Sequence, residues 1–134
     1  MRIVTGERTA ETEERMLHCL QLVGIAFLVE REKEEGSESG WDTVKKWEDT
    51  LSLGEQQRMG MARLFFHRPK YGVLDECTSA VSVDVEKGLY ESAYKRGITC
   101  VTISQRIALE EFHTQELHLG AEDSSGYTMR QIKK

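Results

Sequence analysis

The chain has 134 residues, of which 39% are apolar and 31% charged, which suffices for one domain and is too polar for an integral membrane protein. The longest apolar stretch, Leu22 to Val29, falls far short of the ~20 residues that cross a bilayer, so we expect no membrane-spanning segment. Eighteen basic against 23 acidic residues give a net charge of -5, which argues against nucleic-acid binding. Three scattered cysteines without a CxxC pair argue against a disulfide framework or a zinc site.

The first fifty residues combine an apolar helix pattern with charged connections. Apolar residues at helical spacing behind a glutamate-rich first turn predict a helix within residues 7–23. No apolar residue occurs in residues 30–40, so we expect a solvated loop there. Trp41 and Trp47 flank a short polar stretch, which we expect to form one or two helical turns packed by the two indoles.

The segment 51–67 carries the signals of a long capped helix. Ser52 is followed three residues later by Glu55, the capping-box spacing in which a hydroxyl and a carboxylate satisfy N–H groups of the first turn. The later part of the segment is apolar on most sides, so we expect it to be buried. Pro69 predicts the end of this helix because proline cannot continue the hydrogen-bond ladder.

The second half of the chain alternates between strand and helix patterns. The apolar run 71–74 predicts a buried strand, and residues 83–96 have the apolar spacing of a helix that a glycine closes. The β-branched residues of 98–103 predict a second strand. Residues 117–119 and 127–132, on either side of a polar turn, predict two closing strands or a hairpin.

A strand, a helix and a strand in this order predict the α/β fold class. The connection should be a right-handed crossover helix, and the two strands should pair in parallel. Ligands of such sheets gather beyond the carboxyl ends of the strands, so polar residues at those ends are candidate site residues. The residues expected to converge there are Asp75, Glu76, Ser104 and Gln105.

The start of the predicted helix, Leu51 to Arg58, is open to two interpretations. It is consistent with nothing more than a capped helix, the cap contributing ~1 kcal/mol to stability. Alternatively, Gly54 lets the backbone approach a ligand, while the Ser52 hydroxyl, the N–H groups and the helix dipole hold an anion such as a phosphate. The residues that follow at fixed distance must decide between the two.

The adjacent acids Asp75 and Glu76 suit the hydrolysis of a nucleotide. The first would lie near Mg²⁺, and the second could polarise an attacking water. Acids just past a strand are common, so the pair by itself is weak support. The small residues Thr78, Ser79 and Ala80 then predict a loop that another subunit could approach closely.

Taken together, these motifs resemble those of ATP-binding cassette (ABC) proteins. Residues 51–58 are similar to the signature motif, the strand that ends at Glu76 to Walker B, and residues 77–84 to the D-loop. The sequence of residues 60–70, together with the Asp-Glu-Cys-Thr-Ser-Ala-Val-Ser that follows it, resembles that of subfamily D, the peroxisomal fatty-acyl transporters. The likeness is highly specific from Trp41 to Arg106.

The resemblance implies both a fold and a function. It implies a partial P-loop NTPase domain of ABC type, with a helical subdomain part in residues 1–50 and signature motif, Walker B, D-loop and C-terminal strands in residues 51–134. It further implies ATP hydrolysis coupled to the transport of fatty acids or their CoA esters, with ATP and Mg²⁺ as cofactors. The implied partners are a second nucleotide-binding domain, as homo- or heterodimer, and the transmembrane domain of a parent transporter in the peroxisomal membrane.

The family motifs carry roles over to individual positions. The resemblance implies that Asp75 holds Mg²⁺ through water and that Glu76 is the catalytic carboxylate. Gln105 would stand in the position of the switch histidine. The implied ATP-binding residues, which contact the γ-phosphate of a nucleotide bound mainly by the opposite domain, are Ser52, Leu53, Gly54, Glu55 and Gln56. The implied D-loop residues at the dimer interface are Ser79, Ala80 and Ser82.

Three positions depart from the family pattern. Leu53 replaces a glycine that most cassettes have, which removes one flexible position beside the phosphate. Ser82 replaces the usual D-loop aspartate, a trait that the subfamily shares. Gln105 offers a neutral amide where a histidine is expected, which suggests a degenerate site within an asymmetric pair.

A further departure is the phosphate-cradling Walker A loop. That loop needs Gly-Lys followed by Ser or Thr, and no Gly-Lys dipeptide occurs in the chain. We therefore expect the chain alone to be inactive and the P-loop and membrane helices to lie upstream of Met1. A gene-model fragment, a split polypeptide and a remnant all fit this pattern.

Two other functions stay open at this point. The chain could be a soluble signature-half protein that binds and regulates another nucleotide-binding domain without turnover. It could also be an unrelated α/β interaction domain whose motif matches are accidental. Reading the frame upstream of Met1 for a GxxxxGK[ST] loop separates these interpretations from a cassette part.

Overall fold

A computed structural model of the chain describes residues 8–120 and 126–132. The chain divides into two compact units, the first ending at Thr102 and the second beginning at Ile103. No helix in the described ranges is both long and apolar enough to span a membrane. The proposed division at residue 50 between a helical subdomain and the rest remains a prediction.

The first helix, α1, spans Ala10–Leu22 and confirms the helix predicted within residues 7–23. The Thr9 side chain caps it by accepting a hydrogen bond from the Thr12 backbone N–H. Its apolar stripe packs against helix α4, which spans Leu53–His67. The buried residues of α1 are Met16, Cys19 and Leu20.

The second helix, α2, spans Phe27–Glu34, so the prediction of a solvated loop over residues 30–40 is wrong in its first half. Glutamate, lysine and arginine are good helix formers, and an apolar pattern is not required when a charged side chain is buried with a partner. Glu32 is only 2% exposed, and its Oε2 lies 2.7 Å from Lys45 Nζ. Burial acts to raise the pKa of Glu32, but hydrogen bonding and attraction by Lys45 lower it overall.

The short helix α3 spans Trp47–Thr50, so the helical turns predicted between Trp41 and Trp47 are wrong. Polar side chains in that stretch bind other segments instead of supporting a local helix. Asp42 accepts a hydrogen bond from Ser39 Oγ at 2.8 Å and pairs with Arg8. Lys45 forms ion pairs with Glu32 and Glu35, so ion pairs with other segments fix this stretch as a loop.

Helix α4 confirms the long capped helix that the sequence predicts. Its later part is buried as expected, with Met61, Ala62 and Phe65 at most 1% exposed. The helix stops at Arg68, which adopts the left-handed conformation with φ of 46° just before Pro69. The capped start of α4 is therefore exposed, and the later part of the helix packs in the core.

A two-stranded sheet follows, formed by β1, Tyr71–Asp75, and β2, Thr99–Ile103, with helix α5, Val83–Lys95, between them in sequence. The Thr99 N–H donates to the Lys70 carbonyl at 2.9 Å, so the two strands begin side by side and run in the same direction. The predicted helix and strands are confirmed. The mixture of helices and parallel strands is compatible with the α/β class.

Strand β1 is not the fully buried strand that its apolar run predicts. Burial alternates along it, with Leu74 at 5% exposure while Tyr71 is 61% and Val73 71% exposed. On the covered side, Leu64 of α4 approaches Gly72 so closely that an added Cβ would lie 3.0 Å from its Cδ1. The prediction is wrong because an uninterrupted apolar run implies cover on both faces of a sheet, and the described residues cover one.

The second unit contains a 3-10 helix, Ile107–Phe112, and an antiparallel pair, β3, Gln115–Leu119, and β4, Tyr127–Gln131. The predicted hairpin is confirmed, while most of its polar turn lies outside the described residues. Arg130 links the two parts of the unit, since its guanidinium lies 2.9 Å from Glu110 and 2.7 Å from Glu116.

Candidate functional site

The capping box at the start of α4 is formed in full. Ser52 Oγ accepts from the Glu55 N–H at 3.3 Å, and the Ser52 N–H donates to Glu55 Oε2 at 2.8 Å. The Ser52 hydroxyl also donates to the same carboxylate oxygen at 2.9 Å. The sequence prediction of this motif is confirmed, and the Ser52 hydroxyl is oriented by Glu55.

The capping box makes stability depend on pH. Hydrogen bonding from the Ser52 backbone lowers the pKa of Glu55 below its usual 4.5. A lowered carboxyl pKa contributes stability that is present above pH 4.5 and is lost as the pH falls through the folded-state value. We expect Glu55→Gln, which keeps the capping geometry, to unfold with a weaker pH dependence between pH 7 and pH 3 than the unaltered chain. Urea unfolding at several pH values measures this, and parallel pH profiles would contradict it.

The next positions of the predicted ATP-binding set differ in what they contact. Leu53 is 60% exposed, so its side chain lies in solvent. A Cβ on Gly54 would lie 2.9 Å from the carbonyl oxygen of Ala80, so the first turn packs directly on the D-loop segment. Gln56 donates from Nε2 to the backbone carbonyls of Glu48 and Leu51 at 3.2 and 3.0 Å.

Gln57 contributes a contact set that the sequence reasoning missed. Its Nε2 donates to the Glu76 carbonyl at 3.0 Å and to Ser79 Oγ at 2.8 Å. Its Oε1 accepts from the Ala80 N–H at 2.9 Å. One side chain of α4 therefore binds the end of β1 and the D-loop segment together, and no local pattern in the sequence signals it.

The adjacent acids after β1 lie where the sequence predicted. Asp75 ends the strand, and both Asp75 and Glu76 are exposed. Glu76 has a φ of 45°, in the left-handed region that non-glycine residues rarely adopt. Such a conformation costs on the order of 1 kcal/mol and is typical of turns and functional sites.

A buried hydrogen bond between two side chains holds the segment after Glu76 against helix α5. Thr78 and Glu86 are 3% and 2% exposed, and Thr78 Oγ1 donates to Glu86 Oε1 at 2.6 Å. Cys77 is half-buried, and burial raises the pKa of its thiol, which agrees with a packing role rather than a nucleophilic one. Ser82 caps α5, accepting from the Val85 N–H at 3.4 Å.

The cap explains the serine at position 82. Serine and aspartate are both favoured N-cap residues, so a serine in place of the aspartate that the resemblance leads us to expect keeps the start of α5 capped. Ser79 and Ala80 lie in the exposed turn between β1 and this cap. The structure thus places Ser52, Glu76 and the D-loop residues in the first unit, connected through α4.

Ser104 and Gln105 belong to the second unit, and Gln105 is exposed. Their predicted convergence with Asp75 and Glu76 stays a prediction. In the described ranges, no group of three or more His, Cys, Asp or Glu side chains could hold a metal ion by itself. A magnesium ion that is bound with a nucleotide does not need one, because it takes one or two protein carboxylates plus phosphate oxygens and waters.

Comparison with known proteins gives the context for this arrangement. No protein-family model matches the chain. ABC transporter D family member 1 of Arabidopsis thaliana is 48% identical over 97% of this chain and 10% of its own length. ATP-binding cassette sub-family D member 3 of Homo sapiens is 47% identical over 84% of this chain and 16% of its own length.

The capped signature helix, the strand ending in two acids and these identities define a class of protein, the ATP-binding cassette family, to which the chain belongs. Within that family it is a member of subfamily D, as its sequence motifs indicate. The chain spans only 10% and 16% of the length of these two relatives, and it matches a part of their ATPase domain.

Proposed function

We propose that the chain supplies the signature-motif side of an ATP site whose nucleotide is held mainly by a second nucleotide-binding domain. The observation that carries this proposal is that the Ser52-capped end of α4 and the backbone of Glu76 are joined through one side chain, Gln57. Ser52, Leu53, Gly54, Glu55 and Gln56 form the signature surface. Ser79, Ala80 and Ser82 form the D-loop surface.

The first turn of α4 suits a phosphate group. Among the described residues, the N–H groups of Leu53 and Gly54 have no hydrogen-bond partner, and the helix dipole adds positive potential there. Glu55 carries a negative charge at neutral pH because its pKa is lowered. We therefore assign Glu55 the orientation of the Ser52 hydroxyl, and the backbone N–H groups the contact with phosphate.

The two acids after β1 fit the roles that the resemblance implied. Asp75 is an exposed carboxylate at a strand end, which suits a water-mediated contact with Mg²⁺ beside the phosphates. The ion would supply charge neutralisation at the phosphates. Glu76 has a left-handed backbone and is the candidate general base for an attacking water. Gln105 keeps the role that the resemblance implies, a neutral amide in the position of the switch histidine.

The exposed face of the first sheet supports the proposal that further elements of the domain pack on it. Four outward residues of β1 and β2 are apolar, and each is more than half exposed. They are Tyr71, Val73, Val101 and Ile103. Sheets of parallel strands are normally covered on both faces, so we propose that the rest of a P-loop NTPase domain packs here.

We propose that the chain serves a transporter of fatty acids or their CoA esters in the peroxisomal membrane, together with that transporter's transmembrane domain. Cargo differs among the relatives, since the human relative that is 42% identical over 80% of this chain is named lysosomal cobalamin transporter.

A second function, regulation of another nucleotide-binding domain without turnover, is favoured by two observations. The chain has no Gly-Lys dipeptide, and Gln105 stands in place of the switch histidine. In a mixture with an intact cassette domain, a turnover rate that is insensitive to Glu76→Gln favours regulation. A rate that this substitution lowers at least a hundredfold favours catalysis by this chain.

The test of the leading proposal is nucleotide affinity in trans. Adding the chain to the nucleotide-binding domain of the human sub-family D member 3 should raise that domain's affinity for a fluorescent ATP analogue at least fivefold. Ser52→Asp keeps a side-chain acceptor at the N-cap, loses the hydrogen bond from the hydroxyl to Glu55 Oε2 and places a negative charge against the phosphate, so it should abolish the gain.

The matched control makes the same type of change at another cap. Thr9→Asp replaces the hydroxyl cap of α1, outside the proposed site, and should leave the gain unchanged. Loss of the gain in both variants, or in neither, would remove the proposed trans role. Ser52→Arg should also abolish the gain, because its side chain would occupy the phosphate position.

A further inference from the structure

Gln57 joins two segments that serve different ends of the proposed site. Its amide contacts Glu76 at the strand end and Ser79 and Ala80 in the D-loop, over sequence separations of 19, 22 and 23 residues. The Ala80 N–H can only donate, so it must face Oε1, which leaves Nε2 for the Glu76 carbonyl and Ser79 Oγ. The orientation of the amide is therefore determined by its partners.

The D-loop is held from two further directions. The Cα of Gly54 approaches the Ala80 carbonyl so closely that a Cβ would lie 2.9 Å from it. Beneath the loop, Thr78 binds Glu86 at 2.6 Å, and both side chains are buried. The loop thus contacts the first turn of α4 on one side and the core helix α5 on the other.

We propose that Gln57 is a positioning residue that couples the signature end of α4 to the D-loop and to the backbone of Glu76. A displacement of the first turn by a phosphate group would be transmitted through the Gln57 amide to Ser79 and Ala80. From there it would reach the buried pair of Thr78 and Glu86. This inference rests on the proposed function, since it assumes that a nucleotide approaches Ser52.

The free chain offers the first test. Gln57→Met has a similar size and removes all three hydrogen bonds, so hydrogen exchange of the Ala80 amide should become about tenfold faster. Gln56→Met removes the neighbouring glutamine of the same helix, whose bonds go to Glu48 and Leu51, and should leave Ala80 exchange unchanged. Unchanged Ala80 exchange in Gln57→Met would overturn the proposal.

The second test follows transmission with the methyl resonance of Thr78. Because Thr78 is 3% exposed, a partner cannot touch it directly, so a shift in its resonance reports a change passed on through the chain. Adding the ATP-loaded domain of the human sub-family D member 3 should shift the Gly54 and Glu55 amides and the Thr78 methyl. In Gln57→Met, the Gly54 and Glu55 shifts should persist and the Thr78 shift should be lost.

The outcomes distinguish this inference from the proposed function. If Gly54 and Glu55 do not respond in the unaltered chain, the proposed function fails. If they respond but Thr78 does not, or if Thr78 still responds in Gln57→Met, the coupling role of Gln57 is wrong. Should Gln57→Met not fold, Ser79→Ala removes one of the three bonds from the exposed loop, and it should reduce the Thr78 shift by about a third.

Discussion

Gly54→Ala is expected to lower the free energy of unfolding by about 2 kcal/mol, although alanine is normally the better helix residue. The added Cβ would lie 2.9 Å from the Ala80 carbonyl oxygen, a distance that requires the backbone of the D-loop or of α4 to move. Overpacking of this kind costs about 1–3 kcal/mol, more than the ~1 kcal/mol that alanine gains over glycine in a helix.

Gly60, in the same helix, is the matched control. A Cβ there would meet nothing within 4 Å, so Gly60→Ala should raise stability by about 0.5–1 kcal/mol. Urea unfolding of both variants gives the two signs. Equal stabilisation by both substitutions would show that the first turn and Ala80 do not pack as described.

Glu86→Ala is expected to lower the free energy of unfolding by about 3 kcal/mol. Glu86 is 2% exposed, and its loss leaves the buried Thr78 hydroxyl without the acceptor that lies 2.6 Å away. An unsatisfied buried hydroxyl costs about 1–3 kcal/mol, and the truncated side chain leaves unfilled volume besides. Amides between Cys77 and Ser82 should then exchange faster than those of α1.

Two controls separate the hydrogen bond from other effects of the substitution. Glu86→Gln keeps an acceptor oxygen for Thr78 and should cost less than half as much as Glu86→Ala. Glu91→Ala truncates an exposed glutamate of the same helix and should change stability by less than about 0.5 kcal/mol. If Glu86→Ala behaves like Glu91→Ala, the buried pair does not stabilise the D-loop.

Local signals allow much of the fold to be predicted. The Ser52 and Glu55 cap involves residues three apart, so the spacing in the sequence contains the whole interaction. The apolar spacing of α5 and the β-branched run of β2 are local signals of the same kind, and both elements were predicted. The subfamily can be recognised from the sequence around the two acids, because the residues that identify it are contiguous in the chain.

The features that escape prediction depend on partners that are distant in sequence. The second half of helix α2 has the charged composition of a loop. It is helical although it buries an acid, Glu32, because Lys45 from the following segment pairs with that acid, and the sequence pattern does not show this partner. The role of Gln57 is invisible in the sequence because its partners lie around Glu76 and Ala80, beyond the end of its own helix. Strand β1 has the composition of a fully buried strand, but composition alone does not show which faces of a sheet are covered.

The left-handed backbone at Glu76 favours one kind of residue for stability, while the proposed chemistry requires another. A φ of 45° suits glycine or asparagine better than glutamate, by on the order of 1 kcal/mol. A library of variants sorted only by resistance to heat would therefore drift away from the carboxylate at position 76. If Glu76 is the general base that we propose, sorting the same library by nucleotide turnover in a paired domain would retain it. The two screens would then select different residues at this position.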